Sequence, residues 1–98
     1  MRTDPWPPAG AIHRSVAIQN QKGLHARAAA AFAKTAGRFR AEVRVRRGGI
    51  TVSGLSIMGL MMLAAAPGTE IEIAATGEEA EAALAALLTL VAAGFGEG

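Results

Sequence analysis

Along residues 12–20, apolar Ile12, Val16 and Ile18 recur at alternate positions with Arg14 interrupting the phase, which predicts a first strand with a frayed start. After the polar break Gln21-Lys22-Gly23, residues 24–36 are so rich in alanine that a helix is expected, closed by Gly37. Ala29, Phe32 and Ala36 share one face of it, the expected core side. Ala41, Val43 and Val45 then alternate strictly with Arg40, Glu42, Arg44 and Arg46, the period of a strand that is dry on one side only. Gly48-Gly49 supplies residues that tolerate positive φ, and Ile50 and Val52 resume the alternation, so residues 40–53 read as a hairpin.

Cap-type residues in Ser53-Gly54-Leu55-Ser56 precede a short helix expected over residues 57–66, stopped by Pro67-Gly68. Glu70 and Glu72 alternate with Ile71 and Ile73 in a last strand. Thr76-Gly77-Glu78-Glu79 has the spacing of a capping box, and Ala80, Leu84, Leu87, Leu88 and Val91 lay an apolar stripe along a final helix that Gly94 ends. The order strand, helix, strand, strand, helix, strand, helix predicts an α+β open-faced sandwich, a four-stranded antiparallel sheet with three helices on one face. Residues 1–10, with Pro5, Pro7 and Pro8 around Trp6, are expected to be an extended, flexible tail. Residues 11–94 form the domain, and residues 95–98 a second tail.

A chain of 98 residues holds one domain, and 51% hydrophobic with 18% charged residues marks it as globular. The net charge of +2 names no partner. With no cysteine there is no disulfide, iron–sulfur or thiol chemistry, and a cytoplasmic location is expected. The longest weakly polar runs fall short of the roughly 20 residues that cross a bilayer, so no membrane insertion is expected. His13 and His25 are the only histidines and neither has a carboxylate close in sequence, so neither a metal nor a cofactor is expected.

His25 stands in Gly23-Leu24-His25-Ala26-Arg27-Ala28, at the start of the first helix. The first-turn amides there point outward without partners, and the helix dipole adds positive charge, so an anion fits. Arg27 can bring a forked guanidinium over the same spot. Imidazole titrates near neutrality, and a positive helix end favours its uncharged form, with a nitrogen lone pair able to attack phosphorus. The same letters also describe a polar residue at a helix start beside a solvated arginine. Ser56 is placed where a phosphate would meet free helix amides, and equally where an ordinary capping serine sits. Ile57, Met58 and Met61 form a compact patch apart from the Leu60, Leu63 and Ala64 face, suited either to docking several partners or to core packing.

Gly23-Leu24-His25-Ala26-Arg27-Ala28 resembles the active-site signature of the HPr family, the histidine-containing phosphocarriers of the bacterial phosphoenolpyruvate-dependent phosphotransferase system, and Ser56-Ile57-Met58-Gly59-Leu60-Met61 resembles that family's regulatory serine segment. The resemblance covers residues 11–94 and extends to the nitrogen-type branch of the family. It implies that His25 takes a phosphoryl group from phosphorylated enzyme I, through the ring nitrogen nearer the backbone, and gives it to an enzyme IIA. It further implies a phosphate cradle of Gly23, Ala26, Arg27 and Ala28, phosphorylation of Ser56 by an HPr kinase/phosphorylase, and docking through Leu24, Ile57, Met58 and Met61. A monomeric carrier that does not turn over alone is expected. The sequence departs from many members at Ala28, where proline is common, and at Leu55, where lysine is common.

Two other classes of function fit parts of the chain. Arg40, Arg44, Arg46, Arg47 and the Gly48-Gly49 turn would make a basic hairpin for nucleic acid, although aromatic residues for base stacking amount to only 4%. A sensing domain holding a free anion at the helix end would need no histidine.

Overall fold

The computed structural model describes residues 5–97. Strands β1 (Ile12–Ala17), β2 (Glu42–Arg47), β3 (Ile50–Ser53) and β4 (Glu70–Thr76) form one sheet in the order β1-β4-β2-β3. Every neighbouring pair is antiparallel, with Val16 opposite Ile71, Val45 opposite Ile73 and Val45 opposite Val52. Helices α1 (Ala26–Ala36), α2 (Ile57–Met62) and α3 (Ala80–Ala92) lie on one side, giving the expected β-α-β-β-α-β-α open sandwich.

The alternation of each strand decides which residues enter the core. Val43, Val45, Ile71, Ile73 and Ala75 point to the helices and are buried with Phe32, Leu60, Leu63, Leu84, Leu87 and Val91. Ala28, Ala29 and Ala36 are equally buried, because only small side chains let α1 lie close to its neighbours. Gly48 and Gly49 take φ of 58° and 86°, which closes the β2–β3 hairpin in two residues.

Several boundaries differ from the sequence reading. The first strand pairs only to Ala17; Ile18 leaves the ladder but still donates its amide to the Thr69 carbonyl (2.8 Å). The first helix begins at Ala26 and not at residue 24, because Leu24 spends its amide on the Ala65 carbonyl (3.0 Å) and buries its side chain. The second helix stops at Met62, four residues early. Leu63 is its C-cap, its carbonyl taken by the Arg47 guanidinium (3.0 Å), and Ala64 turns to φ 51°. Ala64, grouped by spacing with Leu60 and Leu63, is therefore exposed while those two are buried. No capping box forms before α3: Thr76 is claimed by the sheet, opposite Glu42, and the Glu79 carboxylate accepts the Arg40 amide (2.7 Å).

Both terminal segments differ from free tails. Of residues 1–10, the first four lie outside the described residues; beyond them Trp6 donates its indole N–H to Glu72 (3.1 Å) on the sheet face away from the helices. The Arg46 guanidinium sits 5.7 Å from the centre of its ring. At the other end Gly94–Gly96 form a tight turn in which Phe95, at φ 58°, joins the core at 9% exposure. That turn delivers Glu97 to the start of α1; Gly98 lies outside the described residues. Among the described residues no helix is long and apolar enough to cross a membrane.

Candidate functional site

The site is built from two segments remote in sequence: residues 20–28, a turn that runs into the first turn of α1, and the carboxyl-terminal turn. Gly23 adopts φ 64°, and a Cβ there would collide with the Ala65 carbonyl oxygen. Only glycine lets the chain pass this point and place His25 at the N-cap of α1. Gly23 was expected to cradle phosphate, but its own amide is already given to the Asn20 carbonyl (3.2 Å), so its role is to shape the turn. Leu24, expected at a docking surface, is 4% exposed and serves the core.

His25 caps α1 through its backbone alone: φ −79° and ψ −177° are extended, and its side chain makes no cap hydrogen bond. The first bond of the helix runs from the Ala29 amide to the His25 carbonyl (2.8 Å). The amides of Ala26, Arg27 and Ala28 precede it and have no helical acceptor. They are the donors anticipated for an anion, and Ala28, standing where a proline would remove one, keeps all three. The methyl of Ala28 is buried, while Ala26 and Arg27 are exposed.

The imidazole is oriented by a residue that local sequence patterns did not identify. Its Nε2 lies 2.8 Å from Glu97 Oε2, and the other oxygen of that carboxylate accepts from the Asn20 side-chain amide (2.9 Å). A carboxylate only accepts, so Nε2 carries a proton and Nδ1 of the neutral ring is left with the lone pair. Partial burial raises the pKa of Glu97, but hydrogen bonds from Asn20 and His25, with the charges of His25 and Arg27, outweigh that and hold it below the usual 4.5. Gln21, Lys22, Arg27, Phe95, Gly96 and Glu97 line one cleft, so Arg27 shares it with the carboxylate that meets the ring.

Ser56 is the N-cap of α2, its Oγ accepting the Gly59 amide (2.9 Å). On the helix that it starts, Leu60 is buried while Ile57, Met58 and Met61 are 42%, 75% and 43% exposed. Met62, Leu55 and Ile50 are exposed too, a wider apolar patch than spacing alone suggested. Its signal was faint because residues 57–62 are apolar all round, and periodicity cannot say which side is wet.

The hairpin arginines are largely engaged within the chain: Arg44 pairs with Glu42 (2.6 Å), Arg46 stacks on Trp6 and Arg47 caps α2. Each arginine that a nucleic-acid reading would use thus has a partner within the chain, Arg40 only through an exposed 3.4 Å contact with Glu78. Among the described residues no group of three or more histidine, aspartate or glutamate side chains is gathered that could hold a metal ion.

Comparison with known proteins agrees with this geometry. Residues 12–93 match the family model described as the PTS HPr component phosphorylation site. The chain is 48% identical over 87 residues to a phosphocarrier protein HPr of Neisseria meningitidis, covering 89% of this chain and 98% of that one. It is 42% identical over 86 residues to a phosphocarrier protein NPr of Shewanella violacea, covering 88% and 94%. Among solved structures, an HPr from Thermoanaerobacter tengcongensis superposes with a TM-score of 0.85 at 37% identity, covering 89% of this chain and 98% of that one. A match over nearly the whole fold, with relatives covered almost end to end, leads to one conclusion: the chain belongs to the HPr family of phosphotransferase-system phosphocarriers.

Proposed function

We propose that this protein carries a phosphoryl group on Nδ1 of His25, accepting it from the phosphohistidine of enzyme I and passing it to a histidine of an enzyme IIA in the cytoplasm. The observation that carries the reading is the contact of Glu97 with Nε2, which leaves the other ring nitrogen as the nucleophile. As the Nδ1 lone pair forms the new N–P bond, the P–N bond to the donor breaks and its electron pair stays on the donor's nitrogen. The phosphorylated ring is then cationic with a proton on Nε2, and Glu97 lies against that positive charge. The phosphoryl oxygens meet the free amides of Ala26, Arg27 and Ala28 and the Arg27 guanidinium. The bond formed is weak enough to be passed on, so the protein is a stoichiometric intermediary.

Ile57, Met58 and Met61 are the apolar contacts offered to both partners, and short-lived complexes follow from a surface that must fit donor and acceptor alike. Ser56 is the second phosphorylation site, addressed by an HPr kinase/phosphorylase; a phosphate on its Oγ would stay at a helix start, whose amides tolerate the added charge.

The experiment is phosphorus NMR and mass spectrometry after incubation with phosphoenolpyruvate and enzyme I. One acid-labile phosphoryl group is expected on the wild type and none on His25→Ala. A wild type that stays unlabelled with an active donor, or a variant that takes label equally well, ends the proposal.

A further inference from the structure

Asn20 is a buried polar residue, 2% exposed, at a place that packing alone would fill with an apolar side chain. Its carboxamide nitrogen has two hydrogens and spends both. One goes to the Gly23 carbonyl (2.8 Å), within the turn that presents His25, and the other to Glu97 Oε1 (2.9 Å). Glu97 Oε2 in turn meets His25 Nε2 at 2.8 Å. The Gly94 turn lies against the same side chain, since a Cβ on Gly94 would be 3.5 Å from that of Asn20. A glutamate near the end of a chain has several rotamers open to it, and ordering it costs conformational entropy. The Asn20 donor selects the rotamer that aims Oε2 at the ring.

We propose that Asn20 is a positioning residue for phosphoryl transfer: by fixing the Glu97 carboxylate it keeps the imidazole proton on Nε2 and leaves Nδ1 unprotonated. This rests on His25 being the phosphoryl acceptor, but the arrangement exists before any phosphate arrives and can be read without it. Replacing Asn20 with alanine removes the donor. Asn20→Asp keeps the shape and sets a second carboxylate against the first, which breaks the link by repulsion.

The test is the nitrogen-15 spectrum of the histidine side chains in the full chain at a pH above imidazole titration, with exposed His13 as an internal reference. In the wild type His25 is expected as the Nε2–H tautomer with a slowly exchanging proton. In Asn20→Ala and Asn20→Asp its tautomer mixture and proton exchange shift towards those of His13. Transfer from phosphorylated enzyme I is expected to slow about tenfold, the lower end of what such supporting partners contribute to histidines at metal sites. Because Asn20 acts through Glu97, Asn20→Ala combined with Glu97→Gln should transfer no more slowly than Glu97→Gln alone. A purely structural Asn20 would lower the melting temperature and leave the tautomer of the folded protein untouched. That result, or losses that multiply in the double variant, overturns the proposal. Should Asn20→Ala fail to fold, Glu97→Gln, altered at a partly exposed residue beyond the last helix, still reads the link: an unchanged His25 tautomer there overturns it as well. If the tautomer shifts as expected but the wild type accepts no phosphoryl group, the positioning stands and the acceptor assignment fails.

Discussion

Gly23 sets the position of the His25 ring, since the collision of a Cβ with the Ala65 carbonyl would act two residues away. Gly23→Ala is expected to cost about 1–3 kcal/mol from the left-handed φ alone, and to displace the imidazole from Glu97. Urea denaturation and the His25 nitrogen spectrum check the two effects separately; an unchanged midpoint would show that the turn relaxes freely. Glu97 adds a pH dependence whose sign follows from its depressed pKa. A carboxyl group more acidic folded than unfolded stabilises the fold fully above its unfolded value, near 4.5, and that contribution is lost as pH falls through the lower folded value. The stability difference between wild type and Glu97→Gln should therefore be flat above that value and shrink below it in denaturation curves taken at successive pH. His25 and Arg27 were legible in the sequence because one helical turn holds them together. Glu97 was not, being 72 positions from His25 with only the Gly94-Phe95-Gly96 turn to announce a change of direction.

Elements were legible where the local pattern and the tertiary environment ask for the same thing. The β2–β3 hairpin is the clearest case, because alternation and two turn glycines agree. The second helix was overextended since residues 63–66 carry no breaker; what stops it is tertiary, the Arg47 bond to the Leu63 carbonyl and the Leu24 bond to Ala65. Thr76 was misassigned because cap chemistry and strand chemistry suit the same residue, and the sheet takes it. The short α2 depends heavily on its cap. Ser56→Ala is expected to cost about 1 kcal/mol, whereas Ser56→Asp, which can still accept the Gly59 amide, should cost less; thermal melts of the two variants decide. Met58 is the opposite case, 75% exposed and supporting nothing. Met58→Glu should change stability by no more than about 0.5 kcal/mol while weakening association with enzyme I, measured by titration calorimetry. Loss of stability without loss of affinity would remove Met58 from the docking surface.

At the scale of the molecule the sheet has two unlike faces. One carries the helices and the proposed phosphoryl site; the other, bare in an open sandwich, is crossed here by the segment from Pro5 to Gly10. Ala74, whose register between His13 and Arg44 puts it away from the helices, is 1% exposed, so the centre of this face is covered. Pro5, Trp6 and Pro8 line a shallow cleft with Glu42, Arg44 and Thr51, and Trp6 is held by Glu72 and Arg46, cross-strand neighbours on that face. Proline-rich composition argued for an extended segment, and composition says nothing about what an extended segment lies on. A hydrogen bond to a carboxylate and a cation over an indole together are worth about 1–2 kcal/mol at a partly exposed site. Trp6→Ala should therefore lower the melting temperature by roughly 4–8 °C for each kcal/mol lost. Because the anchor lies across the sheet from His25, its removal should leave the initial rate of transfer from enzyme I unchanged. Trp6 is the only tryptophan and there is no tyrosine, so intrinsic emission reports this segment alone. Glu72→Gln and Arg46→Ala should shift the emission to the red and raise quenching by acrylamide in the folded protein. Native emission already matching that of the urea-unfolded chain would show that the segment does not rest on the sheet in solution.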